Sequence, residues 1–203
     1  DAGMNIASIC IHRGEEPPIS GPEGICNIFF SGCNLRCIYC QNYEISRPCR
    51  EIRPESPGYE ETIDRITEIL AGGVKTVGFV SPSHVIPQVK AIIRGLKATG
   101  LDPITVYNTN GYDKRETIVS LDGLIDVYLP DYKYFDASTA KKFSDSPDYP
   151  DTAYRAIKEM YYQKGSVLVK DSEGRAENGL LLRHLVLPGH AAESMKILKK
   201  LAN

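Results

Sequence analysis

Cys33, Cys37 and Cys40 stand in a C-x3-C-x2-C spacing within the run Cys33-Asn34-Leu35-Arg36-Cys37-Ile38-Tyr39-Cys40. Thiolates are soft ligands suited to iron–sulfur clusters and to zinc. Three of them within eight residues can wrap one face of a [4Fe–4S] cubane. One iron of such a cluster then has no local protein ligand, and an open metal position can bind a substrate directly. A structural zinc site asks for a fourth Cys or His at short spacing, and Cys49, nine residues on, is the candidate. The spacing leaves both readings open: a cluster with an open iron, or a non-catalytic zinc-binding or electron-transfer module. Cys10, Cys26 and Cys49 follow no further pattern, and buried free thiols are the default expectation for them.

Later polar segments carry complementary groups. Ser81-Pro82-Ser83-His84 offers hydroxyls at Ser81 and Ser83 that both donate and accept, although the same residues also read as a helix start. Asn108-Thr109-Asn110-Gly111-Tyr112 offers the amides of Asn108 and Asn110, which suit ribose or carboxylate contacts, or else an Asn-Gly turn. Asp131 and Lys133 are two apart, so in an extended chain they share a face; a solvated surface pair is the plainer reading. Arg183 and His184 sit inside an apolar run, where alternation sends them to opposite faces. One of them therefore points inward. An inward Arg is costly unless paired, and a carboxylate is its natural partner. His184 is expected as a core or interface histidine, and His84 and His190 carry no distinct signal.

The elements that must position these groups follow from apolar periodicity. Cys26–Phe30 reads as a first strand and residues 32–57 as a long loop ending in Arg53-Pro54-Glu55-Ser56-Pro57. Ile63, Ile66, Ile69 and Leu70 mark a helix that stops at Gly72-Gly73. A strand over 76–80, a helix from Val85 to Leu96, a strand over 104–107 and a short helix near 113–120 follow. A strand over 124–129, helical spacing at 138–143 and 151–163, a fifth strand over 180–187 and a helix over 191–201 complete the series. Alternating strands and helices with apolar strands imply an α/β fold with a parallel sheet under helices, curled into all or part of a barrel. In such folds the C-terminal ends of the strands share one rim. The five polar segments each follow a strand, so they are expected to converge on one pocket. Residues 1–24 read as an irregular N-terminal arm and 25–203 as the barrel domain.

The bulk properties exclude several classes. The chain has 203 residues, 42% hydrophobic and 25% charged, with a formal net charge of −2. That balance gives no nucleic-acid footprint, and no apolar run approaches the roughly 20 residues of a membrane span. No basic, apolar leader opens the chain, which begins at Asp1; its natural start is not visible. Without a secretion signal, the cysteine trio reads as metal ligation in a reducing compartment, the cytoplasm.

The C-x3-C-x-aromatic-C loop behind a first strand resembles the radical S-adenosylmethionine superfamily. Gly32 to Ser46, GCNLRCIYCQNYEIS, more closely resembles the PflX-type proteins, relatives of the pyruvate formate-lyase activating enzymes. The segments from His12 to Ser20, from Tyr107 to Tyr112 and from Arg183 to Gly189 extend the likeness over nearly the whole chain. The resemblance implies a partial (β/α)6 TIM-like barrel, whereas the pattern before Asn203 supplies five strands, one fewer than the resemblance leads one to expect. It implies that Cys33, Cys37 and Cys40 hold a [4Fe–4S] cluster that binds and reductively cleaves S-adenosylmethionine. The 5′-deoxyadenosyl radical then abstracts hydrogen from a substrate, which in activating enzymes is a glycine of a partner protein. Tyr39 would seat the adenine. Lys133 would meet the methionine carboxylate, with Asp131 orienting it or binding a cation. Ser81, Ser83, Asn108, Asn110 and Arg183 would make further cofactor contacts. An electron donor such as flavodoxin or ferredoxin is implied. Two departures stand out: Ser81-Pro82-Ser83-His84 occupies the place of a Gly-Gly-Glu motif, and Asn108 replaces an acidic residue. The first of them motivates a second expectation, the same radical chemistry on a small molecule or another modification target.

Overall fold

The computed structural model describes residues 3–47 and 56–202. Among them, seven strands form one sheet in the order β1-β2-β3-β4-β5-β7-β6. The strands are β1 (Ile6–His12), β2 (Ile25–Phe30), β3 (Thr76–Val80), β4 (Ile104–Thr109), β5 (Val127–Pro130), β6 (Val169–Lys170) and β7 (Ala176–Leu180). The helices are α1 (Pro17–Ser20), α2 (Tyr43–Ser46), α3 (Tyr59–Ala71), α4 (Ile86–Ala98), α5 (Arg115–Val119), α6 (Ala137–Ser144), α7 (Tyr149–Lys164) and α8 (Ala191–Leu201). Strands β2, β3, β4, β5 and β7 run parallel, and β1 and β6 add antiparallel ends. This is a mixed α/β fold with a mainly parallel sheet, consistent with a partial TIM-like barrel and not closed.

Period-2 alternation along the strands sorts residues between two faces. Cys26, Ile28, Val77, Phe79, Tyr107 and Tyr128 belong to the large core packed with the helices. The helices reach it through their own stripes, for example Val89, Ile92, Ile93 and Leu96 of α4. The other parity makes the inner face, and its chemistry changes along the strands. Ile25, Val106, Val127 and Leu129 form a smaller apolar cluster closed by Ile19 of α1. One or two steps further on, the same register presents Asn108, Asn110, Asp131 and Lys133 to a cavity. An apolar floor under a polar rim therefore follows from the sequence once the strands are placed.

Two expectations are corrected. Residues 6–12 are not irregular; they form β1, paired with β2 from Ile6↔Phe30 to His12↔Ile25. The fifth parallel strand is Ala176–Leu180 rather than 180–187. Its ladder continues through Arg183, which donates to the Pro130 carbonyl and accepts from the Tyr132 N–H, each at 2.9 Å. Beyond that point Leu185 and Val186 are exposed. The hairpin partner Val169–Lys170 carried no sequence signal. Cys49 and residues 53–55 of the long loop lie outside the described residues. No helix among the described residues is long and apolar enough to cross a membrane.

Candidate functional site

The rim loops are stitched together before any ligand is considered. Gly111 follows β4 with φ +82°, and a Cβ there would meet the Asp131 carbonyl oxygen at 2.2 Å. Only glycine permits both the turn and this approach. The fully buried Tyr149 of α7 reaches in beside it: its hydroxyl lies 2.8 Å from the Asn110 carbonyl and 3.0 Å from that of Asp131, and it accepts the Lys133 N–H at 3.0 Å. One phenol thus ties the loop after β4 to the loop after β5. Tyr149→Phe leaves buried backbone groups without that partner. The expected loss is about 1–3 kcal/mol of unfolding free energy, read as a fall of roughly 2–12 °C in a thermal melt. An unchanged melt would remove Tyr149 from this role.

A second support lies under the loop after β4. Asp113, 2% exposed, accepts from the Tyr107 hydroxyl at 2.8 Å and the Thr109 hydroxyl at 2.6 Å. Burial pushes its carboxyl up from the ordinary value, against the pull of the hydroxyls of Thr109, Ser83 and Tyr107. Ser83 belongs to this group, with its hydroxyl 3.2 Å from that of Thr109.

Above these supports lies a cavity of about 450 Å³. Cys33, Cys37, Tyr39, Cys40, Ser81, Asn108, Asn110, Asp131, Lys133 and Arg183 all border it. Of the residues singled out from the sequence, Ser83 is the one that does not, because it faces Thr109. Ser81 carries φ +50°, an uncommon conformation for a residue with a side chain. His84 and His184 are spent elsewhere. His84 bonds the Ser31 carbonyl at 2.9 Å, and His184 bonds the Tyr132 carbonyl at 2.7 Å and the Ser194 hydroxyl at 2.8 Å. His184 and Arg183 thus part to opposite faces, as alternation requires.

Charge on the rim is arranged around Asp131. Lys133 Nζ donates to one carboxylate oxygen at 2.5 Å and Arg183 Nε to the other at 3.0 Å. Arg183 Nη2 also donates to the side-chain Oδ1 of Asn108 at 2.6 Å. Its Nη1 lies 3.5 Å from both Glu15 and Glu16. Glu15 in turn accepts from the side-chain amides of Asn27 at 3.0 Å and Asn108 at 3.3 Å. The arm therefore supplies Glu15 and Glu16 to the site, a contribution legible only through the His12–Ser20 likeness.

Cys33, Cys37 and Cys40 are free thiols, each partly buried. Cys33 Sγ accepts from the Leu35 N–H at 3.5 Å and from the Asn110 amide at 3.4 Å. Burial pushes its thiol up, and these two bonds pull it down. Cys40 Sγ lies 3.3 Å from the Ser46 hydroxyl, and Cys37 Sγ accepts from Ser144 Oγ at 2.9 Å. Every sulfur of the trio thus has a hydrogen-bonding group beside it, an environment that suits a metal-bound thiolate. Among the described residues, no three Cys, His, Asp or Glu side chains are grouped to hold a single metal ion. Three thiolates bordering one polar cavity are donors of the kind that suit an iron–sulfur cluster. Cys26, by contrast, is fully buried in the core and its thiol is pushed up to about 12, first by burial and then by Cys10.

The family model of the Radical SAM superfamily matches residues 27–166. An uncharacterised protein of Methanocaldococcus jannaschii is 28% identical over 183 residues, which are 89% of this chain and 48% of that protein. The chain thus spans about half the length of this curated relative. The crystal structure of Streptococcus suis SuiB bound to S-adenosylmethionine aligns with a TM-score of 0.54 at 14% identity, over 83% of this chain and 35% of SuiB. That likeness is one of fold.

Proposed function

The chain belongs to the Radical SAM superfamily, and from that premise we propose a radical oxidoreductase of the PflX type whose cluster rests on Cys33, Cys37 and Cys40. The superfamily's cofactors are a [4Fe–4S] cluster and S-adenosylmethionine. The observation that carries the reading is the convergence of three free thiols with Asn108, Asn110, Asp131, Lys133 and Arg183 on one cavity. The chemistry supplied by the bound cluster is one-electron cleavage of S-adenosylmethionine to methionine and a 5′-deoxyadenosyl radical, which takes a hydrogen atom from the substrate.

The chain's own residues divide the remaining work. Lys133 spends one ammonium donor on Asp131 and keeps others for the methionine carboxylate. Asp131 holds both Lys133 and Arg183 in place, so it acts as a positioning residue. Ser81 and Asn110 offer hydrogen bonds to the amino-acid and ribose portions. The Tyr39 ring borders the cavity and suits the adenine, while its hydroxyl turns away to Tyr134 at 2.5 Å. The site's cations are paired before ligand arrives, and this limits reorganisation on binding.

The substrate we propose is a backbone glycine of a partner protein, as in the activating enzymes, with a flavodoxin or ferredoxin as electron donor. Three segments outside the cysteine loop support it: His12–Ser20, Tyr107–Tyr112 and Arg183–Gly189. The test incubates the reduced, loaded protein and S-adenosylmethionine with candidate glycyl-radical enzymes and reads electron paramagnetic resonance. A glycyl signal that depends on Cys37 is the expected outcome. Formation of 5′-deoxyadenosine with no glycyl signal on any candidate favours the second reading, a small molecule or another modification target. That reading is supported by Ser81-Pro82-Ser83-His84 and by Asn108, whose side chain is engaged by Arg183 and Glu15.

A further inference from the structure

The cysteine loop rests on the C-terminal end of α6. The Ile38 N–H donates to the Phe143 carbonyl at 2.9 Å and the Arg36 N–H to that of Ser144 at 3.4 Å. This seating places the buried Ser144 hydroxyl 2.9 Å from Cys37 Sγ. Behind it stand Tyr134, fully buried, with its hydroxyl 2.5 Å from Ser144 Oγ, and Tyr39, with its hydroxyl 2.5 Å from that of Tyr134. The line returns to the cysteine loop, since Tyr39 directly precedes Cys40. Four residues from three separate segments thus form one connected run of hydrogen bonds, with Tyr134 also in reach of Cys37 and Tyr39 of Ser144.

A metal-bound thiolate has no proton and can only accept. Ser144 must then donate to Cys37, which leaves Ser144 Oγ to accept from Tyr134 and Tyr134 to accept from Tyr39. One acceptor at the end of the run orders all three hydroxyls in one direction. Hydrogen bonds aligned this way polarise one another. The sulfur nearest them feels a stronger donor than a lone serine.

We propose that the Tyr39–Tyr134–Ser144 run sets the reduction potential of the cluster through Cys37. The inference rests on the cluster reading above and goes beyond it by assigning a role to Tyr134 and Ser144, which no cofactor contact explains, and to the Tyr39 hydroxyl, which turns away from the cavity. Reduction adds negative charge to the cluster and its sulfurs. A donor aimed at a sulfur stabilises the reduced state more than the oxidised one, and hydrogen bonds to sulfur are among the determinants of cluster potential. Ser144 is a positioning and tuning residue; it donates to a ligand and touches no reacting atom.

The test is a redox titration of reconstituted protein followed by electron paramagnetic resonance, with iron and sulfide measured on every sample. Ser144→Ala should lower the midpoint so that the ratio of reduced to oxidised cluster at a fixed poise falls about tenfold, or roughly 59 mV for one electron. Tyr134→Phe keeps Ser144 but removes its polarising donor, so a smaller shift in the same direction is expected. Ser144→Thr restores the hydroxyl and should bring the potential back. Equal iron and an unchanged midpoint in Ser144→Ala would overturn the inference. If Ser144→Ala holds no cluster, Tyr134→Phe decides, and an unchanged midpoint there overturns it as well. A wild-type chain that takes up no cluster refutes the cluster reading instead, so the two failures are distinct.

Discussion

Cys37→Ala protein, reconstituted with iron and sulfide without oxygen, should stay colourless and form no 5′-deoxyadenosine. On the proposed reading each of the three thiols carries a share of the ligation, and among the described residues His12 is the one further Cys or His that borders the cavity. Removing Cys37 also leaves the Ser144 hydroxyl without its acceptor. Iron should drop from about four per chain, the content of the cubane, to near zero. The control is Cys10→Ala. Cys10 lies on β1, paired with Asn27, away from the cavity lining, so its variant should keep full iron and full activity. Iron retained in Cys37→Ala would remove that residue from the ligand set, and iron lost in Cys10→Ala would show that cluster uptake follows general stability.

Arg183→Ala should be the most damaging of the rim substitutions. The guanidinium stands among Asp131, Glu15 and Glu16 and holds the side-chain Oδ1 of Asn108. Without it, three carboxylates face each other with Lys133 as the remaining cation within the group. Breaking a fully buried pair by deleting one partner costs about 3–5 kcal/mol. Arg183 is 27% exposed, so water screens part of the imbalance, and about 2–3 kcal/mol is expected. That corresponds to a fall of roughly 4–12 °C in the melt. Arg183→Lys should recover little, because a single ammonium cannot span Asp131 and Asn108 with the geometry of a planar fork. The double variant Arg183→Met with Glu15→Gln removes charge of both signs and should melt closer to wild type than Arg183→Met alone. Equal melting of the single and double variants would mean that Glu15 and Arg183 are not coupled.

How far the sequence revealed all this differs from element to element. The strands β3 and β4 were legible because each is a short apolar run between helix-spaced segments. Their C-terminal polar loops came with them. β1 was not legible, since Ile6–His12 is held by antiparallel pairing to β2 rather than by a pattern of its own. The last parallel strand was read too late because Leu180 to Leu187 is apolar, whereas the ladder to β5 is given by Ala176–Leu180 and ends near Arg183. Apolar content there marked a surface, with Leu185 and Val186 exposed, and not a strand.

The site divides in the same way. Asp131, Lys133 and Arg183 were findable because charged groups on apolar strands need partners, and the structure shows them partnering one another. Glu15 and Glu16 sit in a Pro-flanked loop whose reach into the cavity depends on Ile19 docking under the sheet. Only the likeness of that segment pointed to it. Tyr134, Ser144 and Tyr149 left no sequence signal. Their partners lie far off in the chain, with Ser144 and Cys37 separated by 107 positions, and hydroxyl groups of this kind occur throughout ordinary cores.

The most direct test of the central claim is the product of the reaction. Wild-type protein, loaded without oxygen and reduced with dithionite, is incubated with S-adenosylmethionine and the mixture separated by liquid chromatography. The expected result is 5′-deoxyadenosine and methionine in equal amounts, absent without reductant and absent in Cys37→Ala. A brown, fully loaded protein that forms neither, or a protein purified without oxygen that holds one zinc and no iron, would contradict it.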